Sequence, residues 1–204
     1  MLAWFRGSVA LPRGASLRPL NELVGGAGRW FDPIRRKKVK IVPYNPEYHD
    51  ELTQMLREYL VFTGEAIRLA PWNHEIDVEK HLGVTLTNLD DFAPPKGEIL
   101  IAVIDGHIAG TSTVKMIRAA TAELKRMYVK PEFQGKKIGH ALVLKSIEIA
   151  RGLGANQMLL DTPPPFKSAH KLYQRHGFTF CDEYPEVGIP EELKFNWLYM
   201  HRTL

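Results

Sequence analysis

The 204-residue sequence has very little cysteine, since Cys181 is the only one. An internal disulfide is therefore excluded, and a lone thiol suits a reducing compartment. Long apolar runs are also missing: the longest uninterrupted one, residues 99–104, is far shorter than the roughly 20 residues that span a membrane. The sequence thus predicts a soluble, intracellular protein that has no membrane partner.

An excess of positive charge is missing from most of the chain. Residues 1–38 contain eight lysines or arginines and two acids, and they account for the net charge of +4. Residues 39–204 contain 19 basic and 21 acidic residues, so they lack the basic surface that is typical of nucleic-acid-binding proteins. We predict that nucleic acid is not a partner.

Residues 1–38 differ in composition from the rest of the chain. Arg6, Arg13 and Arg18 occur among apolar residues with no acid before Glu22. This composition is typical of an organellar transit peptide, although an untargeted flexible tail explains it equally well. We predict a basic extension over 1–38, followed by one domain over 39–204. The protein would be cytoplasmic, or mitochondrial if the extension is a transit peptide.

Apolar periodicity predicts an α/β (α+β) fold. A hairpin of residues 98–104 and 107–116 turns at Asp105-Gly106, where Asp-Gly supplies the positive φ of a tight turn. Further strands are predicted at residues 39–42, 122–129, 157–161, 178–181 and 196–201, and helices at 46–64, 78–89 and 138–153, with another from residue 168. We expect a mixed, mostly antiparallel central sheet of about six to seven strands with helices on both faces.

The loop of residues 131–139 joins a predicted strand to a predicted helix. The first turn of a helix has unpaired backbone N–H groups and a partial positive charge, so it attracts anions. Gly135 and Gly139 allow close approach of a ligand, and Lys136 and Lys137 add charge. Neither the P-loop pattern nor Gly-x-Gly-x-x-Gly occurs. Many such loops bind nothing, so the loop alone does not decide the function.

Two motifs together give a more specific signal. Gln134-x-x-Lys137-x-Gly139 matches [Gln/Arg]-x-x-Gly-x-[Gly/Ala] except at Lys137, and residues 169–178 form a helix that ends in Gly-Phe. In these motifs the chain resembles the GNAT superfamily of acyl-CoA-dependent N-acetyltransferases. The resemblance extends over residues 39–204. At the departure, Lys137, a side chain is tolerated if the residue already has helical dihedrals.

The resemblance implies that acetyl-CoA is a co-substrate, and that the loop amides hold its pyrophosphate while the preceding strand pairs with its pantetheine arm. The residues that it assigns to the coenzyme are Met127, Tyr128, Val129, Gln134, Gly135, Lys136, Lys137, Ile138, Gly139 and His140.

Acetyl transfer to an amine needs a neutral amine and a proton for the departing thiolate. The resemblance makes Tyr173 the general acid, although an amphipathic helix also buries such a ring. It makes Glu123 the base. Two alternatives stay open: water is the base, or Glu123 is a surface residue paired with Lys125 or Arg126. The period of two places Glu123, Lys125 and Met127 on one strand face.

The histidines are poorly spaced for joint metal ligation, so we predict no metal. Three functions stay open: an N-acetyltransferase for the primary amine of a small molecule, a protein or peptide N-acetyltransferase, and a non-catalytic acyl-CoA-binding module. A homodimer is compatible with the sequence.

Overall fold

The structure is a computed structural model that describes residues 39–71 and 73–204, so the predicted extension over 1–38 lies outside the described residues. Seven described segments are strands: β1 Lys40–Pro43, β2 Gly97–Ile104, β3 His107–Arg118, β4 Thr121–Val129, β5 Gln157–Thr162, β6 Thr179–Cys181 and β7 Leu198–Thr203. Five are α-helices: α1 His49–Arg68, α2 Val78–Thr87, α3 Ile138–Gly152, α4 Lys167–Arg175 and α5 Glu191–Lys194. Within the described residues, no helix has the length and apolar character needed to cross a bilayer.

The strands form one sheet in the order β1-β2-β3-β4-β5-β7-β6. Every neighbouring pair is antiparallel except β4 and β5, which α3 connects in parallel. On one face, Val143 and Ile147 of α3 pack with Leu124. On the other, Leu52 and Met55 of α1 pack with sheet residues such as Ile101. The predicted mixed, mostly antiparallel sheet is confirmed.

Local chemistry sets the entry of the first helix but not its end. The Asn45 side chain accepts a hydrogen bond from the Glu47 amide (3.1 Å), and a short 3₁₀ turn leads into α1. The predicted end near Gly64 is wrong, because α1 continues to Arg68. At Gly64, a Cβ atom would lie 2.8 Å from Ile76 Cγ1, so the glycine serves close packing there.

A β-bulge interrupts β4. Thr111 of β3 faces Tyr128 and Thr113 faces Lys125, so one β3 residue opposes two β4 residues between these pairs. Arg126, within the bulge, has a φ of 50°, which is rare for a residue with a side chain.

The bulge changes which residues share a strand face. Met127 packs against the cluster that contains Leu124, on the α3 side of the sheet. Glu123 and Lys125 pair with each other, but the predicted placement of Met127 on their face is wrong. The extra residue of the bulge shifts the alternation of side chains between the two sheet faces by one position. A strict period of two does not allow for this shift.

The parallel strands separate beyond their first residues. β4 pairs with β5 only from Thr121 to Glu123, opposite Gln157 to Leu159, whereas β5 pairs with β7 along its whole length. The remainder of β4 therefore has a free edge, and the sheet opens there into a cleft.

Candidate active site

Cavity A, of about 710 Å³, lies along the free end of β4, and the loop of residues 131–139 and helices α3 and α4 complete its wall. Of the ten residues that the sequence assigns to the coenzyme, nine line this cavity. Lys136 is the exception, because its Nζ donates to the Glu132 carbonyl (3.0 Å) and lies 4.7 Å from the centre of the Phe133 ring. The structure thus gathers the predicted residues in one place, and their contact with a coenzyme stays a prediction.

The start of α3 has the features of an anion site. The first backbone N–H groups of an α-helix have no intrahelical partner, and the side chain of Lys137, which precedes α3, does not cap them. The loop is held from the side by Gln134, whose Nε2 donates to the Val129 carbonyl (3.1 Å). An anion at this end of α3 would meet both the free N–H groups and the helix dipole.

Lys137 occupies the position where the motif has its first glycine. Its φ is 62° and its ψ is 15°, so it is left-handed, and the condition of right-handed helical dihedrals is not met. Gly135 also has a positive φ, of 77°. The chain needs two left-handed residues to turn from the loop into α3, and the lysine adopts this conformation despite its Cβ atom.

Gly139, in the first turn of α3, is packed tightly. A Cβ atom at this position would lie 3.0 Å from Leu172 Cδ2 and 3.3 Å from Met127 Cε. A larger residue would push α3 away from α4 and β4 at the wall of cavity A.

Cavity B, of about 530 Å³, lies on the other side of the cleft, between α1, α2, β4, β5 and the segment 188–197. The two cavities share a set of wall residues, which are Tyr59, Met127, Phe166, Ala169 and Tyr173. Tyr173 therefore lies where cavities A and B meet.

Tyr173 presents a buried, protonated phenol at this junction. Its ring packs edge-on to Phe178, with centroids 5.9 Å apart, and 7% of the residue is exposed. Burial, with smaller effects of Tyr59 and Asp161, raises the pKa of Tyr173, so the phenol is protonated at neutral pH. No hydrogen bond joins its hydroxyl to another described residue. The buried ring and the predicted acid role are compatible.

Glu123 is buried, with 2% of the residue exposed, so the alternative of a surface glutamate is wrong. Its Oε1 accepts hydrogen bonds from Lys125 Nζ (2.9 Å) and from the Tyr184 hydroxyl (2.7 Å). Pairing with Lys125 is therefore observed. Glu123 lines neither cavity A nor cavity B. A role as base would require transfer through water or through one of these two partners, and it stays a prediction.

Asp161, at the end of β5, was not identified from the sequence. Its Oδ2 accepts a hydrogen bond from Trp197 Nε1 (2.8 Å), its Oδ1 lies 3.6 Å from Lys125 Nζ, and it lines cavity B. Burial lowers the pKa of Lys125, but Asp161 and Glu123 more than offset this and leave the pKa raised. The sequence does contain a signal that could have identified Asp161, because an acid that directly follows the apolar run Met158-Leu-Leu is unusual in a buried strand.

Two histidines meet beside cavity A: His140 Nδ1 and His176 Nε2 are 2.9 Å apart. Burial, and then the nearby His140 and Arg202, lower the pKa of His176. Among the residues that the structure describes, no group of three or more His, Cys, Asp or Glu side chains is arranged to hold a metal.

The sequence profile of the acetyltransferase (GNAT) family matches residues 50–178, and the chain therefore belongs to this family. It is 29% identical over 155 residues to an uncharacterised N-acetyltransferase of Schizosaccharomyces pombe, a match that covers 71% of this chain and 85% of the relative. Some other curated relatives are matched over less than half of their own length.

Solved structures share the fold. A GNAT acetyltransferase of Staphylococcus aureus superposes with a TM-score of 0.62 at 22% identity, covering 82% of this chain and 99% of that one. The PaiA N-acetyltransferase of Thermoplasma acidophilum, solved in complex with coenzyme A, gives 0.60 at 23% identity, covering 82% and 99%. The fold and the family together define an acetyltransferase of the GNAT type.

Proposed function

We propose that the protein transfers the acetyl group of acetyl-CoA to the primary amine of a small molecule, by direct attack of the amine on the thioester. The observation that carries this proposal is the meeting of cavities A and B at Tyr173. One cavity would hold the acyl donor and the other the acceptor, so that the reacting groups come together beside a proton donor.

Cavity A fits the donor. The uncapped start of α3 and the left-handed Gly135 and Lys137 leave backbone N–H groups for the pyrophosphate. Beyond Glu123, β4 has no partner on the β5 side, so its backbone is available to the pantetheine arm. Burial of Met127 and Leu172 against α3 supplies an apolar wall for that arm.

The chemistry needs few groups. The neutral amine attacks the thioester carbon, a C–N bond forms, and the C–S bond breaks. The departing thiolate takes the proton of Tyr173, whose raised pKa keeps it protonated until then. The proton that the amine loses goes to water or, through water, to Glu123.

The size of cavity B supports a small acceptor. Its volume of about 530 Å³ falls within the range of small-molecule sites, roughly 300–1,000 Å³. The segment 188–197 covers one side of it, which limits the room for an extended peptide.

The experiment measures release of free coenzyme A thiol from acetyl-CoA in the presence of a panel of small amines and of peptides. We expect turnover with small amines. Turnover with peptides alone would refute the small-molecule acceptor. Stabilisation by acetyl-CoA without any turnover would identify a binding module and refute the enzymatic proposal.

A further inference from the structure

The histidine pair beside cavity A joins a residue of its wall to a residue outside it. His140, in the first turn of α3, lines cavity A. His176, which follows α4, lines neither cavity A nor cavity B. The two half-buried rings bond directly, because His140 Nδ1 lies 2.9 Å from His176 Nε2. A change at His176 would therefore reach cavity A through His140.

The bond between the rings restricts where their protons can be. Burial, and then the nearby His140 and Arg202, lower the pKa of His176 from its ordinary value of about 6.5, so this ring is neutral at pH 7.5. A neutral imidazole has one donor and one acceptor nitrogen. When His176 Nε2 donates, a neutral His140 accepts at Nδ1 and carries its proton on Nε2. When His140 is protonated, it donates from both nitrogens and His176 accepts.

One arrangement of the pair would not suit an anion in cavity A. If a neutral His140 donates from Nδ1, its Nε2 is bare and presents a lone pair. No hydrogen bond joins His140 Nε2 to another described residue, so this nitrogen is available to a ligand. The position of His176 is set from outside the cavity, since its backbone carbonyl accepts a hydrogen bond from Arg202 Nη1 of β7. The protein thus holds one partner of the pair in place and leaves the other facing the cavity.

We propose that His176 is a positioning residue for the coenzyme: it holds His140 with a proton on Nε2, and this N–H donates to a phosphate of the coenzyme. This inference rests on the proposed function, which places acetyl-CoA in cavity A. A hydrogen bond from an imidazole to an anionic phosphate is charge-assisted and therefore stronger than a neutral one. A bare Nε2 would instead repel the phosphate oxygens.

The affinity for coenzyme A, measured by isothermal titration calorimetry, tests the proposal without any acceptor. His140→Leu removes the donor, so the Kd should rise by about tenfold or more, because a hydrogen bond to a charged group is lost. His176→Leu removes the partner that orients His140, and the Kd should rise by about three- to tenfold. His176→Gln keeps a side-chain amide that can donate to His140 Nδ1 or accept from it, so the Kd should stay within about twofold of the wild type.

A double variant shows whether His176 acts through His140. His140→Leu combined with His176→Leu should bind coenzyme A no more weakly than His140→Leu alone, since the second change has nothing left to orient. Additive losses would contradict this coupling. His107→Leu is the matched control, because His107 is an exposed histidine that lines neither cavity, and it should leave the Kd unaltered.

Two shorter ligands distinguish the phosphates. Pantetheine lacks every phosphate, so its Kd should be the same in the wild type and in His140→Leu. Dephospho-coenzyme A keeps the pyrophosphate and lacks the 3′-phosphate. A loss of its affinity in His140→Leu would assign the N–H to the pyrophosphate, and an unchanged affinity would assign it to the 3′-phosphate.

The proposal is overturned if His140→Leu binds coenzyme A as tightly as the wild type, if His176→Gln is as weak as His176→Leu, or if pantetheine shows the same losses. If a variant does not fold, ring-nitrogen NMR of the wild type with coenzyme A decides the matter. We expect a proton on His140 Nε2, and a bare Nε2 would overturn the proposal. Failure of the proposed function looks different, because coenzyme A binding would still depend on His140 while no amine is acetylated. A wild type that binds no coenzyme A would overturn both.

Discussion

Replacing Tyr173 with phenylalanine removes one hydroxyl from the junction of the two cavities. The ring contact with Phe178 is kept, and the hydroxyl has no described hydrogen-bond partner to lose, so we expect the free energy of unfolding to change by less than about 1 kcal/mol. A positioned proton donor contributes about 10²- to 10⁴-fold in rate. Water can partly replace the phenol in an open cleft, so kcat should fall by roughly ten- to a thousandfold.

The pH profile adds a second readout. The acid form of Tyr173 is the active one, and burial raises its pKa above the ordinary value of about 10. Activity that depends on this proton therefore persists as pH rises and is lost only above pH 10. The wild type should show no decline in kcat from this group between about pH 7 and 10.

The assay is steady-state release of coenzyme A thiol, combined with the thermal shift caused by acetyl-CoA. Tyr48→Phe is the matched control, because Tyr48 is a half-buried tyrosine that lines neither cavity. A near-native kcat in Tyr173→Phe would exclude this residue as the acid. Loss of the acetyl-CoA shift with a normal apo fold would make it a binding residue instead.

Three further predictions concern the loop and the extension. Gly139→Val places a side chain against Leu172 and should abolish the thermal shift caused by acetyl-CoA. The control Gly83→Val, whose side chain would lie in open space, should keep the shift. An unchanged shift in Gly139→Val would show that the pyrophosphate binds elsewhere. Lys137→Gly relieves a left-handed side chain and should raise the free energy of unfolding in urea by up to about 1 kcal/mol, so a destabilised variant would contradict the strain argument. Deleting residues 1–38 should leave kcat and Tm nearly unaltered, and a large loss of either would show that the extension is needed by the domain.

The fold and the loop could be predicted because their signals are local. The apolar alternation of β4, the glycines of the loop and the helical periodicity of α3 lie within 32 consecutive residues, 121–152. Short-range steric and hydrophobic preferences decide such elements, so the strand, loop and helix were found from the sequence. Nine of the residues assigned to the coenzyme then share one cavity as a consequence.

The rest depends on contacts between distant residues. Tyr184 donates to Glu123 from 61 positions away, and Trp197 donates to Asp161 from 36 positions away. No local pattern encodes these pairs, so the sequence left a surface Glu123 open as an alternative to the base and gave no role to Asp161. The bulge at Arg126 was missed for a related reason, because its register is set by pairing with β3.

Mass spectrometry of the acceptor shows directly whether the acetyl group of acetyl-CoA is transferred to a small amine. The purified protein is incubated with acetyl-CoA and the panel of small amines, and the amine product and the free thiol are quantified together. We expect an amine heavier by one acetyl group, formed in a one-to-one ratio with free coenzyme A and strongly reduced in Tyr173→Phe. Thiol release without acetylated amine would show hydrolysis of acetyl-CoA and would refute acetyl transfer to the amine.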